Sequence, residues 1–260
     1  MNDSTSMGLR LRREGLVAWV VLDAPPHNHV TVHGMAALAE ALAELDADDS
    51  CRAIVLAAQG KAFCAGADFA SVRDEGGPPS LDTREFYRHA MRLFDVGKPI
   101  IAAIQGAAIG AGVGLALAAD FRIGTPAARF SVNFNRLGFH PGFGLTVTLP
   151  RLIGAQQAAL LFYTGRRIGA EEALRIGLVD ECVKADALAA RCQALADEIA
   201  TSAPLAVRST RQALRAGLAE QVRQANAHEY ATQQVQFRSD DFQEGVRAMA
   251  ERRAPVFRGR

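Results

Sequence analysis

Two short runs of small residues carry the chemistry that this 260-residue sequence offers: Ala65-Gly66-Ala67 and Gly110-Ala111-Gly112. Backbone this bare lets a ligand approach main-chain N–H groups closely. The second run opens a helix-like stretch, "AGVGLALAAD". A helix start leaves its first N–H groups free and adds the positive end of the helix dipole. Asp68 follows the first run as a helix-cap candidate. Two such amides meeting at one carbonyl oxygen would stabilise negative charge developing there, each by about 2.7–4 kcal/mol in a transition state. Close-packed strand-to-helix turns have the same spacing, so spacing alone leaves both readings open.

Other chemistries are weaker. Gly110-Ala111-Gly112 begins a dinucleotide fingerprint, but Leu115 stands where its third glycine belongs and Asp120 comes too early for its acid. A phosphate loop with Gly-Lys-Ser/Thr is absent. Cys51, Cys64, Cys182 and Cys192 form no CxxC pair and stand at no metal-ligand spacing from a histidine, so buried free thiols are expected. His27, His29 and His33 cluster without an acidic or cysteine partner at ligand spacing, which favours surface histidines over a metal site. His140, beside Pro141, titrates near neutrality and is a candidate proton shuttle. Its alternative is a loop histidine satisfied by backbone. Asn133 and Asn135 flank Phe134 and, at strand spacing, would face away from it.

These residues need elements to hold them. "LRLRREGLVAWVVLD" (9–23) reads as two strands joined at Glu14-Gly15. Met35, Leu38, Leu42 and Leu45 form a helical stripe. "CRAIVLAAQG" and "IIAAIQG" read as buried strands, and "KAFCAGADFASV" as a loop and short helix. "EGGPPS" (75–80) is a loop. A helix follows it, with Asp82 as cap candidate and Gly97 and Pro99 as stop. Its stripe "FYRHAMRLF" (86–94) reads as core or pocket wall. "FRIG" and "RFSV" are further strands. From about Leu145 the chain is mostly helical, broken by an extended "VDECVK". An α/β core with a helical C-terminal part is the outcome.

At 49% hydrophobic, 22% charged and net charge +1, the chain suits a globular protein without a field favouring nucleic acid. "MNDSTSMG" lacks a signal-peptide pattern, and no apolar run is long enough to span a membrane. A cytoplasmic protein is expected.

Several motifs resemble the crotonase, or enoyl-CoA hydratase/isomerase, family over nearly the whole chain. They are "PPHNHVT", "GKAFCAGADF", "KPIIAAIQGAAIGAGVGLALAAD", "RFSVNFNRLGFHPGFGLTVTLPRLIG", "TGRRIGAEEALRIGLVDECV" and "EGVRAMAERRAPVFRGR". The resemblance implies an α/β fold: a crotonase-like spiral of β-β-α repeats over 1–200. It also implies a helical C-terminal trimerisation region over 201–260. A homotrimer, or a hexamer as a dimer of trimers, is implied. So is an acyl-CoA thioester substrate, with no cofactor beyond its coenzyme A moiety.

By position, the N–H groups of Ala67 and Ala111 would hold the thioester oxygen. Asn28, His29, Lys61, Ala65 and Asp68 fall on coenzyme A-binding segments, and Arg258 would meet the 3′-phosphate. Gly114, Phe134, Gly142 and Phe143 would line the acyl pocket. The family's hydratases carry glutamates at the first two of these positions, and its isomerases and some dehalogenases a carboxylate at the third. All three lack an acid here. Losing a general acid–base group typically costs a factor of about 10² to 10⁴, so two-glutamate hydration is not expected. The expectation is a lyase- or isomerase-type enzyme that stabilises a thioester enolate, with His140 as proton carrier. The alternatives are an acyl-CoA binding protein with little turnover, or a true hydratase with a replacement acid/base.

Overall fold

The computed structural model describes residues 4–6, 8–68 and 83–260. The loop expected at 75–80, the helix expected beyond Asp68 and the cap expected at Asp82 lie outside the described residues.

The strands are β1 (Ser4–Ser6), β2 (Leu9–Glu14), β3 (Val17–Leu22), β4 (Ala53–Ala58), β5 (Ala62–Cys64) and β6 (Ile100–Ile104). They continue with β7 (Ala107–Ile109), β8 (Phe121–Gly124), β9 (Arg129–Ser131), β10 (Ile168–Gly169) and β11 (Glu181–Cys182). They form two sheets, ordered β1-β2-β3-β4-β6-β8-β11 and β10-β9-β7-β5. Each of the pairs β4/β5, β6/β7 and β8/β9 steps from the large sheet to the small one. The β-β-α repeat is therefore visible as alternation between two sheets. From β3 to β11 the large sheet is parallel.

Parallel strands covered on both faces read as continuous apolar runs, as VAWVVL and IIAAI do here. Val20, Ile54, Leu56 and Ile100 point toward the main core, with Leu38 and Leu42 of α1 (Val32–Ala47). Trp19, Val55 and Ile101 point the other way, against Cys192 and Ala196 of the C-terminal part. The α1 start is capped by Thr31, whose hydroxyl accepts the Gly34 N–H at 3.0 Å.

The remaining helices are α2 (Arg84–Met91), α3 (Ala111–Ala118), α4 (Leu145–Ile153), α5 (Ala155–Thr164) and α6 (Ala170–Arg175). The C-terminal part adds α7 (Leu188–Thr201), α8 (Pro204–Leu214), α9 (Leu218–Gln236) and α10 (Asp240–Ala250). Asp120, at the end of α3, joins this helical part to the sheets. It accepts from Arg211 Nε at 2.8 Å and Arg215 Nη1 at 3.0 Å.

Two local expectations are corrected. Ala62–Cys64 is a buried strand rather than loop, because its apolar side chains pair it in parallel with β7. Residues Asn133–Leu137 form a 3-10 turn rather than continuing the strand. The turn, not strand pleating, buries Phe134 while leaving Asn135 exposed and Asn133 intermediate.

Candidate active site

The two small-residue runs lie side by side because β5 and β7 are neighbours. Gly112 explains how closely they approach. A Cβ on it would fall inside the Cys64 carbonyl and lie 3.0 Å from Cys64 Cβ. Gly110 turns the chain from β7 into α3 at a φ of 53°, which favours glycine.

Hydrogen bonds around these loops use most amides. Ala65 N–H donates to the His27 carbonyl at 3.0 Å and Asp68 N–H to the Val30 carbonyl at 3.0 Å. Val30 N–H donates to the Gly66 carbonyl at 3.0 Å, and Gly110 N–H to the Ser131 carbonyl at 2.8 Å. The N–H groups of Ala67 and Ala111 have no acceptor among the described residues. Ala111 is the first residue of α3 and 7% exposed. Two free donors thus remain on adjacent loops.

The positions without acids are filled from elsewhere. A Cβ on Gly114 would stand 2.5 Å from Cγ and Cδ1 of Phe143. A Cβ on Gly110 would lie 3.6 Å from Phe134 Cζ. Phe143 also meets Phe86 and Phe94 edge-on, with centroids 6.2 and 6.5 Å apart. Phe134 meets Phe139 at 5.5 Å. At Gly142 a Cβ would collide with the Tyr87 hydroxyl.

His140 is held along α9. Its amide donates to Gln236 Oε1 at 2.7 Å, its Nδ1 lies 2.7 Å from the Pro141 carbonyl, and its ring faces His228 at 6.1 Å. A carbonyl can only accept, so Nδ1 carries a proton in this contact.

The coenzyme A expectations divide. The bonds between 27–30 and 65–68 place His29, Ala65 and Asp68 along one edge, with exposed Lys61 nearby in sequence. Asn28 is different: it is 1% exposed and its side chain is fully engaged. Its Nδ2 donates to the carbonyls of Gln59 (2.7 Å) and Ala62 (2.8 Å), and its Oδ1 accepts the Ala24 N–H at 2.9 Å. Asn28 therefore positions the edge and has no side-chain donor left for a ligand. Arg258 lies in the tail against α10, where its N–H donates to Asp241 Oδ1 at 2.6 Å.

Burial pushes the Cys64 thiol up to about 12, so it stays neutral beside the first loop. Among the described residues no three His, Cys, Asp or Glu side chains gather as metal ligands would. Among the described residues no helix is long and apolar enough to cross a membrane.

Sequence reasoning missed a polar group behind Gly142 and Phe143. The Tyr87 hydroxyl donates to Gln233 Oε1 at 3.1 Å. The Glu229 carboxylate, fully buried, accepts the N–H groups of Gly144 (2.7 Å) and Thr146 (3.0 Å) and the Thr146 hydroxyl (2.6 Å). The available signal was the buried stripe of α9, which carries Asn226, Glu229 and Gln233 at helical spacing.

Known proteins resemble this chain throughout its length. The family model described as enoyl-CoA hydratase/isomerase matches residues 12–260. The (E)-benzylidenesuccinyl-CoA hydratase of Thauera aromatica is 35% identical over 97% of this chain and 100% of its own. The carnitinyl-CoA dehydratase of Salmonella typhi is 33% identical over 98% of this chain and 100% of its own. A crystal structure of an enoyl-CoA hydratase/isomerase from Pseudoalteromonas atlantica T6c superposes with a TM-score of 0.88 at 30% identity, covering 97% of this chain and 100% of that one.

Proposed function

The chain belongs to the enoyl-CoA hydratase/isomerase family, and on that premise we propose that it stabilises the enolate of an acyl-CoA thioester without the paired carboxylates of ordinary hydration. It is an acyl-CoA enzyme of the lyase or isomerase kind. The amides of Ala67 and Ala111 receive the thioester oxygen, and the negative charge that forms there is met by donors already in place. Dipoles fixed before reaction cost nothing to reorganise, which makes such donors effective.

The observation that carries this reading is the filling of the acid positions by rings. Phe143 occupies the space beside Gly114, and Phe134 both replaces an acid and covers Gly110. Rings at these places exclude water and suit an apolar acyl group. Proton movement then falls to a group outside the two positions. His140 Nε2 is the base we assign, with the Pro141 carbonyl fixing its tautomer.

Ala111→Pro tests the reading. Proline is well tolerated at the first position of a helix, and it removes the N–H in question. Exchange of the thioester α-hydrogen should fall by about 10²–10³ while the variant remains folded, as loss of one oxyanion donor does. Unchanged exchange would remove Ala111 from the site.

A further inference from the structure

The candidate active site uses the first residue of α3. At the other end of that helix, Arg215 Nη2 donates to the Ala118 carbonyl at 3.2 Å. There α8, the start of α9 and the loop before β6 line a cavity of about 630 Å³. Arg208, Arg211, Arg215 and Arg223 all face it. Arg211 is the buried one, at 8% exposure. Its Nε donates to Asp120 and its Nη1 to the Val96 carbonyl, but its Nη2 is buried with no partner among the described residues. A buried donor left unpaired is costly, most of all on a charged group.

The start of α9 brings further free donors to the same cavity. Gly217 turns the chain into α9 at a φ of 74°, and no side chain caps the first turn. Leu218 N–H donates to the Arg215 carbonyl and Gln221 N–H to the Gly217 carbonyl. Between them, the N–H groups of Ala219 and Glu220 have no acceptor among the described residues, and both residues line the cavity. The positive end of the α9 dipole lies here as well. Asp46, Asp95 and Glu220 also line the cavity, but each is engaged. Asp46 accepts the N–H groups of Gly97 and Lys98, Asp95 accepts Arg223 at 2.7 Å, and Glu220 accepts Gln224 at 2.8 Å. Four lining arginines against three lining carboxylates, with Asp120 behind them, suit a small anion rather than a polyanion.

A guanidinium and a helix start offer donors only, and they complement a ligand that only accepts, through several oxygens. We propose that this cavity binds a phosphoryl group, held by Arg211 Nη2 and the N–H groups of Ala219 and Glu220. The site is separate from the thioester site and does not depend on the acyl-CoA reading.

Calorimetry with inorganic phosphate tests it. The unaltered protein should bind phosphate with a dissociation constant of about 1 mM or tighter. Acetate, at matched ionic strength, should bind about tenfold more weakly or worse. Ala219→Pro deletes one donor in the first turn of a helix, where proline is tolerated. Arg211→Lys keeps a charge beside Asp120 and deletes Nη2. Each variant that circular dichroism shows folded should bind phosphate about tenfold more weakly or worse. Methyl phosphate separates the two sources of the group. Affinity within about tenfold of phosphate assigns the site to an organic phosphate, and a larger loss assigns it to the free ion. Absence of phosphate binding overturns the proposal, as does acetate binding as tightly as phosphate. Unchanged phosphate affinity in a folded variant also overturns it, because the anion then sits elsewhere.

Discussion

The ring of Phe143 lies in the space that a side chain on Gly114 would need, 2.5 Å from where its Cβ would be. Restoring an acid there is therefore more than a change of charge. Gly114→Glu alone should be destabilised by about 1–3 kcal/mol, as overpacked cores are, and should gain no hydratase activity. Gly114→Glu with Phe143→Ala should lose less than the sum of the two single substitutions, because the new side chain refills part of the space the ring leaves. Thermal unfolding of all three variants checks this. A Gly114→Glu protein as stable as the parent would show that the ring moves aside freely.

Phe143 is aimed by Glu229. Phe143 and Gly144 both have positive φ, 67° and 69°, and Glu229 accepts the N–H that follows, on Gly144. Hydrogen bonds to a charged group typically contribute about 1.5–3 kcal/mol, and a buried donor left unpaired costs a similar amount. Glu229→Gln turns one acceptor into a donor facing N–H groups. It should lose about 2–3 kcal/mol in urea unfolding, with a parallel weakening of acyl-CoA binding.

Asp120 ties the helical part to the sheets through Arg211, which is 8% exposed, and Arg215. It also accepts the Ile100 N–H at the start of β6, at 2.8 Å. Removing one partner of a buried pair strands the other charge, at about 3–5 kcal/mol. Asp120→Ala should show a loss of that size by denaturant titration. A loss below about 1 kcal/mol would mean the arginines find other partners.

Cys64 and Cys192 are each pushed up to about 12 by burial. The folded chain holds these protons through a range in which unfolded thiols, near 9, give them up. Their contribution is intact below pH 9 and is lost as pH rises from 9 through 12. Stability should fall across that window, and the fall should be shallower in Cys64→Ala. Iodoacetamide at pH 8 should leave Cys64 and Cys192 unmodified until the protein is unfolded.

Much of this was legible in the residues themselves. Both-face-buried strands announced themselves as unbroken apolar runs, and the glycines of 110–114 marked a close approach before any partner was known. What the sequence concealed was depth. Ala62–Cys64 is too short to show a period, so its strand emerges only from pairing with β7. Strand alternation predicts Asn133 and Asn135 on the face opposite Phe134, but the chain leaves the strand at Ser131 and enters a 3-10 turn. The group of Tyr87, Gln233 and Glu229 brings residues of α2 and α9 together across 146 positions at its longest bond, and no local pattern reports such a contact. By position Asn28 falls on a coenzyme A-binding segment. Its side chain is instead consumed by three bonds to the chain.

The central claim is that an enolate forms here without two-glutamate hydration. Incubation of the protein with butyryl-CoA and with crotonyl-CoA in heavy water, followed by mass spectrometry, tests it most directly. Deuterium is expected at the α-carbon of butyryl-CoA, with no water addition to crotonyl-CoA at an enzymatic rate. Rapid addition of water to crotonyl-CoA would contradict it, and would mean that an acid and base outside Gly114 and Phe134 perform ordinary hydration.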